Sequence, residues 1–357
     1  MGGWTWTKRV VGMGAADMRF FLGLDGGGTK TACALCDEDG RILAFSVGGP
    51  SNHLSLPGGE EALREVLRCV VGNALSQARI APRRVSSACL ALAGVGLAGQ
   101  SAIAARVATD IVPADETVLE NDAVAALVGA TAKSWGVVVI SGTGSIAVGI
   151  DRTGRRVRAG GWGYLIGDEG SGYDIGRRGL AAVARAHDGR GNYTILVEKA
   201  LAHYGLKTPG ELRSVLYRTE TRARDVASFA PLVVASAYEG DAVSVDILRS
   251  AGRELGLSVV AVVKALGFGD EEFDVAPCGS VFKAGELVID PFRSEVLRAA
   301  PSARIVSPRF PAVIGALMIA FQRVGRAVDD VVLSNMARGC LEYGLPVGDA
   351  TCKGKDQ

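Results

Sequence analysis

The sequence predicts an α/β protein made of two duplicated domains. Three observations support this fold class: a length of 357 residues, a hydrophobic fraction of 48%, and a strand pattern that occurs twice around turns of small residues. The length is enough for about two domains. The composition is typical of chains that bury a core and not of disordered ones.

The repeated pattern begins at residue 25 with DGGGTKTACALCDEDGR and at residue 141 with SGTGSIAVGIDRTGR. In both copies an apolar strand runs into a turn of small residues and a second strand follows. An Asp-containing turn with Gly-Arg then leads to a third strand. A repeat of this long period indicates duplication of one domain and not a solenoid. Two unrelated glycine hairpins are the alternative, but the matching second turn favours duplication.

In the first half, apolar runs predict strands, and apolar residues spaced three and four apart predict helices. The predicted strands cover 19–25, 30–37, 41–47, 86–94 and 117–122, and the predicted helices cover 58–79, 99–109 and 122–131. This alternation of strands and helices is the basis for an α/β domain.

The second half repeats the first three strands and is then predicted to be mostly helical. The predicted strands cover 136–141, 145–151, 156–160, 273–279 and 303–307. The predicted helices cover 171–187, 194–203, 209–218, 222–238, 241–266, 290–299 and 311–323.

The repeat also predicts the domain limits. We expect an N-terminal domain over residues 18–132 and a larger C-terminal domain, with a helical insertion, over residues 133–348. Residues 1–17 are expected to be a disordered extension, and residues 349–357 a disordered tail.

Charge and cysteine usage exclude several classes of partner. The formal net charge is +1, so bulk electrostatics favour neither nucleic acid nor an anionic membrane. Cys33 and Cys36 form an isolated CxxC in an apolar strand, where buried thiols are favoured over a zinc or redox site. No segment reaches the roughly 20 apolar residues that span a bilayer. The scattered cysteines are typical of the reducing cytoplasm.

Both turns of small residues are predicted to bind the phosphates of a nucleotide. The first contains Gly26, Gly27, Gly28, Thr29 and Lys30, and the second contains Gly142, Thr143, Gly144 and Ser145. Backbone N–H groups must approach a phosphate closely, and glycine leaves that approach open, while hydroxyl groups add donors. Neither turn matches the P-loop or the dinucleotide-binding fingerprint.

Asp25 adds a carboxylate beside the first predicted phosphate turn. A carboxylate repels phosphate unless a cation lies between them. Mg²⁺, which keeps several of its waters, is the natural bridge. An aspartate that only caps the turn is the alternative.

Several motifs together resemble a known family. LGLDGGGTKT, ISGTGS and a late glycine turn resemble the two phosphate motifs and the adenosine motif of the actin, heat-shock ATPase and sugar kinase superfamily. GGWGYLIGDEGSGYDIG at 160–176 is similar to the N-acetylglucosamine kinase branch of the BadF/BadG/BcrA/BcrD ATPase family. GPSNH at 49–53 and ENDAVAAL at 120–127 match that branch in order and spacing. The resemblance covers about residues 19–340 and implies two ribonuclease H-like (actin-like ATPase) domains with a nucleotide cleft between them.

The resemblance implies a catalytic role for Asp122. In sugar kinases the matching aspartate contacts the substrate and accepts the proton of the attacking hydroxyl, which must lie in line with the γ-phosphate. Asp122 is predicted to open a helix, so a plain N-cap is the alternative for this residue.

The resemblance also implies contacts with the sugar and the adenosine. Its sugar-binding positions correspond to Asn52, Gly161, Trp162 and Asp168, although a structural tryptophan is the alternative for Trp162. Its adenosine-binding positions correspond to Gly279, Ser280 and Lys283. Cys278 stands where the usual adenosine motif has a second glycine.

The resemblance therefore implies an ATP- and Mg²⁺-dependent kinase that phosphorylates the 6-hydroxyl of an amino sugar. N-acetylglucosamine is the first candidate, and glucosamine and N-acetylmuramic acid remain open. The related kinases are often homodimers. One alternative is an ATPase that activates a radical dehydratase, but such proteins carry cluster-ligating cysteines where this chain has GDEGSG. The other is a non-enzymatic sugar sensor, which the retention of Asp25, Asp122 and both turns disfavours.

Overall fold

The computed structural model of the chain describes residues 19–52, 58–79, 85–95, 100–217 and 223–348. The predicted extension 1–17 and the predicted tail 349–357 lie outside these residues. The strands are β1 (Phe20–Gly26), β2 (Thr31–Asp37), β3 (Ile42–Gly48), β4 (Val85–Leu92), β5 (Ala114–Glu120), β6 (Gly136–Ser141), β7 (Ser145–Ile150), β8 (Arg156–Gly160), β9 (Phe273–Cys278) and β10 (Ala303–Ile305). The helices are α1 (Gly59–Gln77), α2 (Gln100–Ile111), α3 (Asp122–Thr131), α4 (Gly172–His187), α5 (Leu196–Tyr204), α6 (Leu212–Leu216), α7 (Ala223–Ala227), α8 (Ala230–Tyr238), α9 (Ala242–Leu266), α10 (Glu286–Ala299), α11 (Ala312–Arg323) and α12 (Asp330–Glu342).

The strands form two five-stranded sheets of the same topology. The first has the order β3-β2-β1-β4-β5, and the second, read from β8, has the order β8-β7-β6-β9-β10. In each sheet the first three strands of the repeat are antiparallel and the next two run parallel to the first. The mixed α/β class is confirmed, and the shared topology is what the predicted duplication requires.

The two faces of the first sheet have different partners, because alternate residues of β1 point in opposite directions. Leu22 and Leu24 pack in one core with the apolar faces of α1 and α2. Phe21 points the other way, and its ring centroid lies 4.0 Å from that of Phe321 in α11. Both faces of β1 are therefore buried, which explains its continuous apolar sequence.

The second sheet packs against the long helix α9, which supplies an apolar face with Val259 and Val262 in the core. A glycine in β7, Gly149, makes room for this helix, because a Cβ there would lie 2.7 Å from the side chain of Leu266. Within the described residues, no helix combines the length and apolar character needed to cross a membrane.

The predicted helix over 222–238 is two helices, α7 and α8. Pro231 lies in the first turn of α8, a position that its missing N–H allows, whereas the interior of one continuous helix disfavours proline. The predicted helix over 209–218 is also shorter, because a 3₁₀ turn at Pro209–Glu211 precedes α6.

The helix α12 was not among the sequence predictions, although its signals are present. The side chain of Asp329 accepts a hydrogen bond from the N–H of Val332 and so caps the helix. Val332, Met336 and Cys340, spaced four residues apart, form its buried stripe.

The chain divides into two compact units, and neither is continuous in sequence. Within the described residues, the first unit comprises residues 19–120 and Ala316–Leu345, and the second comprises Asn121–Gly315 and residues 346–348. These units differ from the predicted limits 18–132 and 133–348, which followed chain order. Helix α3 packs with the second sheet, while Phe321 and α12 return to the first.

Candidate active site

The first turn joins β1 to β2 at one end of the first sheet. The N–H of Gly27 donates to the carbonyl of Lys30 at 3.0 Å, which closes the hairpin. Gly28, Thr29 and Lys30 are exposed, and a Cβ at Gly28 would meet no atom within 4 Å. Packing within the protein therefore does not require glycine at this position. The open backbone is suited to the close approach of a ligand.

Asn52 lies next to this turn. The carbonyl of Gly27 accepts hydrogen bonds from the N–H groups of Ser51 (3.0 Å) and Asn52 (3.3 Å). Gly26 has no room for a side chain, because the Ser51 hydroxyl and Leu92 fill that space. The structure thus brings together the predicted first phosphate turn and the predicted sugar-binding asparagine, within one unit.

Asp25 is the last residue but one of β1 and is only partly exposed. Mg²⁺ is commonly held by one or two carboxylates, phosphate oxygens and several waters, and a single carboxylate beside a phosphate turn fits that donor set. Among the described residues there is no group of three or more metal-binding side chains. The two cysteines of the predicted CxxC are buried in β2, and burial raises the pKa of the Cys33 thiol to about 12.

Two serine hydroxyls connect the second turn, between β6 and β7, to the loop that precedes α4. Ser141 donates to the carbonyl of Gly170 at 2.9 Å, and Ser145 donates to the carbonyl of Glu169 at 2.8 Å. The Ser145 hydroxyl, predicted as a phosphate donor, thus donates within the protein. Ser141 was not predicted, although its place at the end of β6, directly before the turn, was a usable signal.

The first amides of α4 point at the second turn. The N–H of Gly172 donates to the carbonyl of Gly142 at 2.7 Å, and that of Tyr173 donates to the carbonyl of Thr143 at 3.3 Å. Each carbonyl shares a peptide group with the next N–H, so these bonds polarise the N–H groups of Thr143 and Gly144. The positive end of the α4 dipole acts in the same direction. This arrangement makes the turn well suited to bind an anion.

Asp168 lies directly against this turn and is only 8% exposed. Its carboxylate accepts hydrogen bonds from the N–H groups of Ser145 and Gly163. A Cβ at Gly144 would lie 2.7 Å from Oδ2 of Asp168, so any larger residue there would force the carboxylate to shift. Burial raises the pKa of Asp168, which the two N–H groups partly oppose.

Gly161 and Trp162 flank the same region. The N–H of Gly161 donates to the carbonyl of Ser145 at 3.0 Å. Trp162 is 65% exposed, and the guanidinium carbon of Arg158 lies 5.2 Å from its ring centroid. This exposure disagrees with a structural tryptophan buried under a hairpin. It leaves an aromatic face open to a ligand.

The predicted adenosine turn follows β9 at the same edge of the second sheet, because β9 runs parallel to β6. Gly279 has a φ of 104°, and a Cβ there would overlap the carbonyl oxygen of Ser141. Ser280 and Lys283 are exposed beside it. The second turn, the Gly161–Asp168 segment and the adenosine turn therefore meet at one edge of the sheet.

Asp122 is the first residue of α3 and not its cap. The N-cap is Asn121, whose side chain accepts the N–H of Ala123 at 3.0 Å. Oδ1 of Asp122 shares the same N–H at 3.0 Å. Burial raises the pKa of the Asp122 carboxyl. The capping role that competed with a catalytic one is thus filled by the neighbouring residue.

Comparison with known proteins identifies the family of this chain. The model of the BadF/BadG/BcrA/BcrD ATPase family matches residues 22–320. The chain belongs to this family. Its membership confirms the family that the motifs had indicated.

The matches with several known proteins extend over nearly the whole length of those proteins. The N-acetylmuramic acid/N-acetylglucosamine kinase of Clostridium acetobutylicum is 34% identical over 303 residues, which are 85% of this chain and 98% of that protein. The N-acetyl-D-glucosamine kinase of Dictyostelium discoideum is 32% identical over 313 residues, which are 84% and 97% of the two chains. A solved structure of a candidate N-acetylglucosamine kinase from Chromobacterium violaceum has a TM-score of 0.69 and 28% identity, and the match covers 85% of this chain and 99% of that one.

Proposed function

We propose that this family member is an ATP-dependent kinase that phosphorylates the 6-hydroxyl of an amino sugar, with N-acetylglucosamine as the first candidate. One observation carries the proposal: a buried carboxylate, Asp168, shares one edge of the second sheet with a turn of polarised N–H groups and with the adenosine turn. Such a site can hold a polar substrate beside a polyphosphate. The names of the relatives support the same class of substrate.

ATP is proposed to bind through both glycine turns, which requires the two units to act on one nucleotide. The polarised N–H groups of Thr143 and Gly144 suit phosphate oxygens, and the open backbone at Gly28 suits the same role. Gly279 and Ser280 would receive the adenosine. Mg²⁺, held through Asp25 and its own waters, would neutralise charge that develops on the phosphates.

The sugar is proposed to bind through Asp168, Asn52, Gly161 and Trp162. A carboxylate can accept hydrogen bonds from two neighbouring hydroxyls, and the Asn52 amide offers both donors and an acceptor for a hydroxyl or an acetamido group. The exposed face of Trp162 would pack against the ring carbons of the sugar.

Asp122 is proposed as the general base. It would accept the proton of the 6-hydroxyl as the oxygen attacks the γ-phosphorus and the bond to the β-phosphate oxygen breaks. Its raised pKa brings it closer to the operating pH, which favours proton transfer. Closure over the substrates would exclude water and so limit ATP hydrolysis.

The deciding experiment measures ADP release from Mg-ATP over a panel of free sugars: N-acetylglucosamine, glucosamine, N-acetylmuramic acid and glucose. We expect release that depends on an amino sugar, and a 6-phosphate product by phosphorus NMR. Sugar-independent hydrolysis together with bound iron would instead support a dehydratase activator. Sugar binding with no ADP release would support a sensor.

A further inference from the structure

Asp168 has a backbone conformation that its surroundings must hold. Its φ of 62° lies in the left-handed region, which few non-glycine residues adopt without support. Among the described residues, Arg79 and Ala132 also have positive φ, but they lie at the ends of α1 and α3, where such a residue is common. Asp168 lies in a loop before α4, so no helix end explains its conformation.

Most backbone groups that follow Asp168 in its loop make hydrogen bonds to neighbouring segments. The carbonyls of the next two residues accept the serine hydroxyls of the second turn, as described above. The N–H of Gly170 donates to Oδ2 of Asp174 at 3.2 Å. Asp174 therefore completes the support of this loop from the side of α4.

Asp174 is itself fixed by charge and burial, since it is only 4% exposed. Arg177 and Arg178 donate to its carboxylate at 3.0 and 2.9 Å. Arg178 also donates to the Ser250 hydroxyl of α9 at 2.7 Å. Charge-assisted bonds of this kind are short and directional, so they fix the acceptor that Gly170 uses.

We infer that Asp174 is the positioning residue that holds the strained backbone of Asp168 and so sets the affinity for the sugar. This inference rests on the proposed function, because it takes Asp168 as the sugar-binding carboxylate. Asp174 is not expected to touch either substrate.

The effect should fall more on the sugar than on ATP. The cap of α4 is the side chain of Ser171, which accepts the backbone N–H of residue 174 at 3.1 Å. That bond does not depend on the side chain at 174. The α4 amides that support the phosphate turn should therefore keep their places when the Asp174 carboxylate is changed.

The test compares Asp174→Asn with a matched control, Asp241→Asn. Asp241 is also a buried carboxylate of the second unit that supports the start of a helix, and it accepts hydrogen bonds from Thr194 and Ser244. Both variants lose one charge inside a buried network. We expect both variants to lower the melting temperature, but only Asp174 supports the sugar site.

We expect Asp174→Asn to raise KM for N-acetylglucosamine, or for the best sugar of the panel, about tenfold, with KM for ATP within about twofold. Asp241→Asn should leave both KM values within about twofold. Equal effects of the two variants on the sugar, or an equal rise of both KM values in Asp174→Asn, would overturn the inference.

A second readout needs no activity. Amide hydrogen exchange of the peptide covering residues 165–175 should become faster in Asp174→Asn and stay unchanged in Asp241→Asn. If the loop responds in this way but the wild-type protein phosphorylates no sugar, the proposed function fails and the support of the loop stands. If the wild-type protein is active but the loop does not respond, the inference alone fails.

Discussion

The two glycine turns have the same place in two sheets of the same topology, yet they are supported differently. The first turn is held by backbone bonds from Ser51 and Asn52 to Gly27, and its residues 28–30 are exposed. The second is held by two serine hydroxyls, by two α4 amides and by the carboxylate of Asp168. The two sheets thus share the strand order and the hairpin position, but the surroundings of the two turns differ. The second turn meets a proposed sugar-binding side chain, the Asp168 carboxylate, whereas the first meets Asn52 only through that residue's backbone N–H. We therefore expect a change in the second turn to disturb sugar binding more than a change in the first.

The largest expected effect separates chemistry from the binding that both turns provide. Asp122→Asn should lower kcat by about 10²–10⁴-fold, because the general base is lost, while sugar binding persists. Turnover is measured by ADP release, and sugar binding by calorimetry. Near-normal turnover would contradict the role of Asp122.

The same variant should not be less stable than the wild type at neutral pH. Burial raises the pKa of Asp122, so the folded state binds its proton more tightly than the unfolded state does. The ionised group therefore lowers stability once the pH exceeds the ordinary aspartate value of 3.8. A melting temperature well below that of the wild type would show that the carboxylate is mainly structural.

The next largest effect is expected when one glycine of each turn is replaced by alanine. Gly144→Ala puts a Cβ 2.7 Å from the Asp168 carboxylate, so we expect KM for both sugar and ATP to rise about tenfold or more. Gly28→Ala meets no protein atom, so the melting temperature should stay unchanged and only KM for ATP should rise. A sugar effect in Gly28→Ala as large as that in Gly144→Ala would remove the contrast between the turns.

The pH dependence of turnover is expected to show one acid limb. Because Asp122 must be ionised to accept a proton, kcat/KM should fall as the pH falls through its pKa, and protonation of Asp168, whose pKa burial also raises, should add to the same limb. Burial raises that pKa, so the midpoint should lie above 3.8. Rates over pH 4–9 with a stability control check this. A profile that is flat down to pH 4 would exclude Asp122 as the titrating base.

The smallest expected effect is on the free energy of unfolding when one hydroxyl of each turn is removed. Ser145→Ala removes a partly buried bond to Glu169 and should lower the free energy of unfolding by about 1 kcal/mol. Thr29→Ala removes an exposed hydroxyl and should change it by less than about 0.5 kcal/mol. Chemical denaturation measures both, and equal losses would count against the stronger support of the second turn.

Local patterns predicted much of the fold. Apolar runs such as β6, which begins the second copy of the strand pattern, predicted the strands of both sheets. Apolar residues spaced three and four apart predicted most of the helices. The segment from α11 to α12 could not be assigned to the first unit, because a return to an earlier sheet leaves no local signal. The capping Asp329 and the stripe of Val332 show that α12 itself was predictable.

Sequence predicted the site as a set of motifs but not its internal bonds. The glycine pattern indicated the two turns and the resemblance indicated Asp168, and the structure brings Asp168 to the second turn. The sequence could not indicate that the Ser145 hydroxyl donates to the carbonyl of Glu169, or that the Asp174 carboxylate accepts the N–H of Gly170. Such pairings depend on which segments meet after folding and on which buried groups need partners.

The cysteines of the core bear on how the protein can be labelled. Of the six within the described residues, Cys69 alone is exposed. Burial raises the thiol pKa of Cys33, Cys278 and Cys340 to about 12, so little reactive thiolate forms there at neutral pH. Once Cys352, which lies outside the described residues, is replaced by serine, a maleimide dye should attach to α1 alone. That single attachment point would let fluorescence follow the first unit while substrates bind.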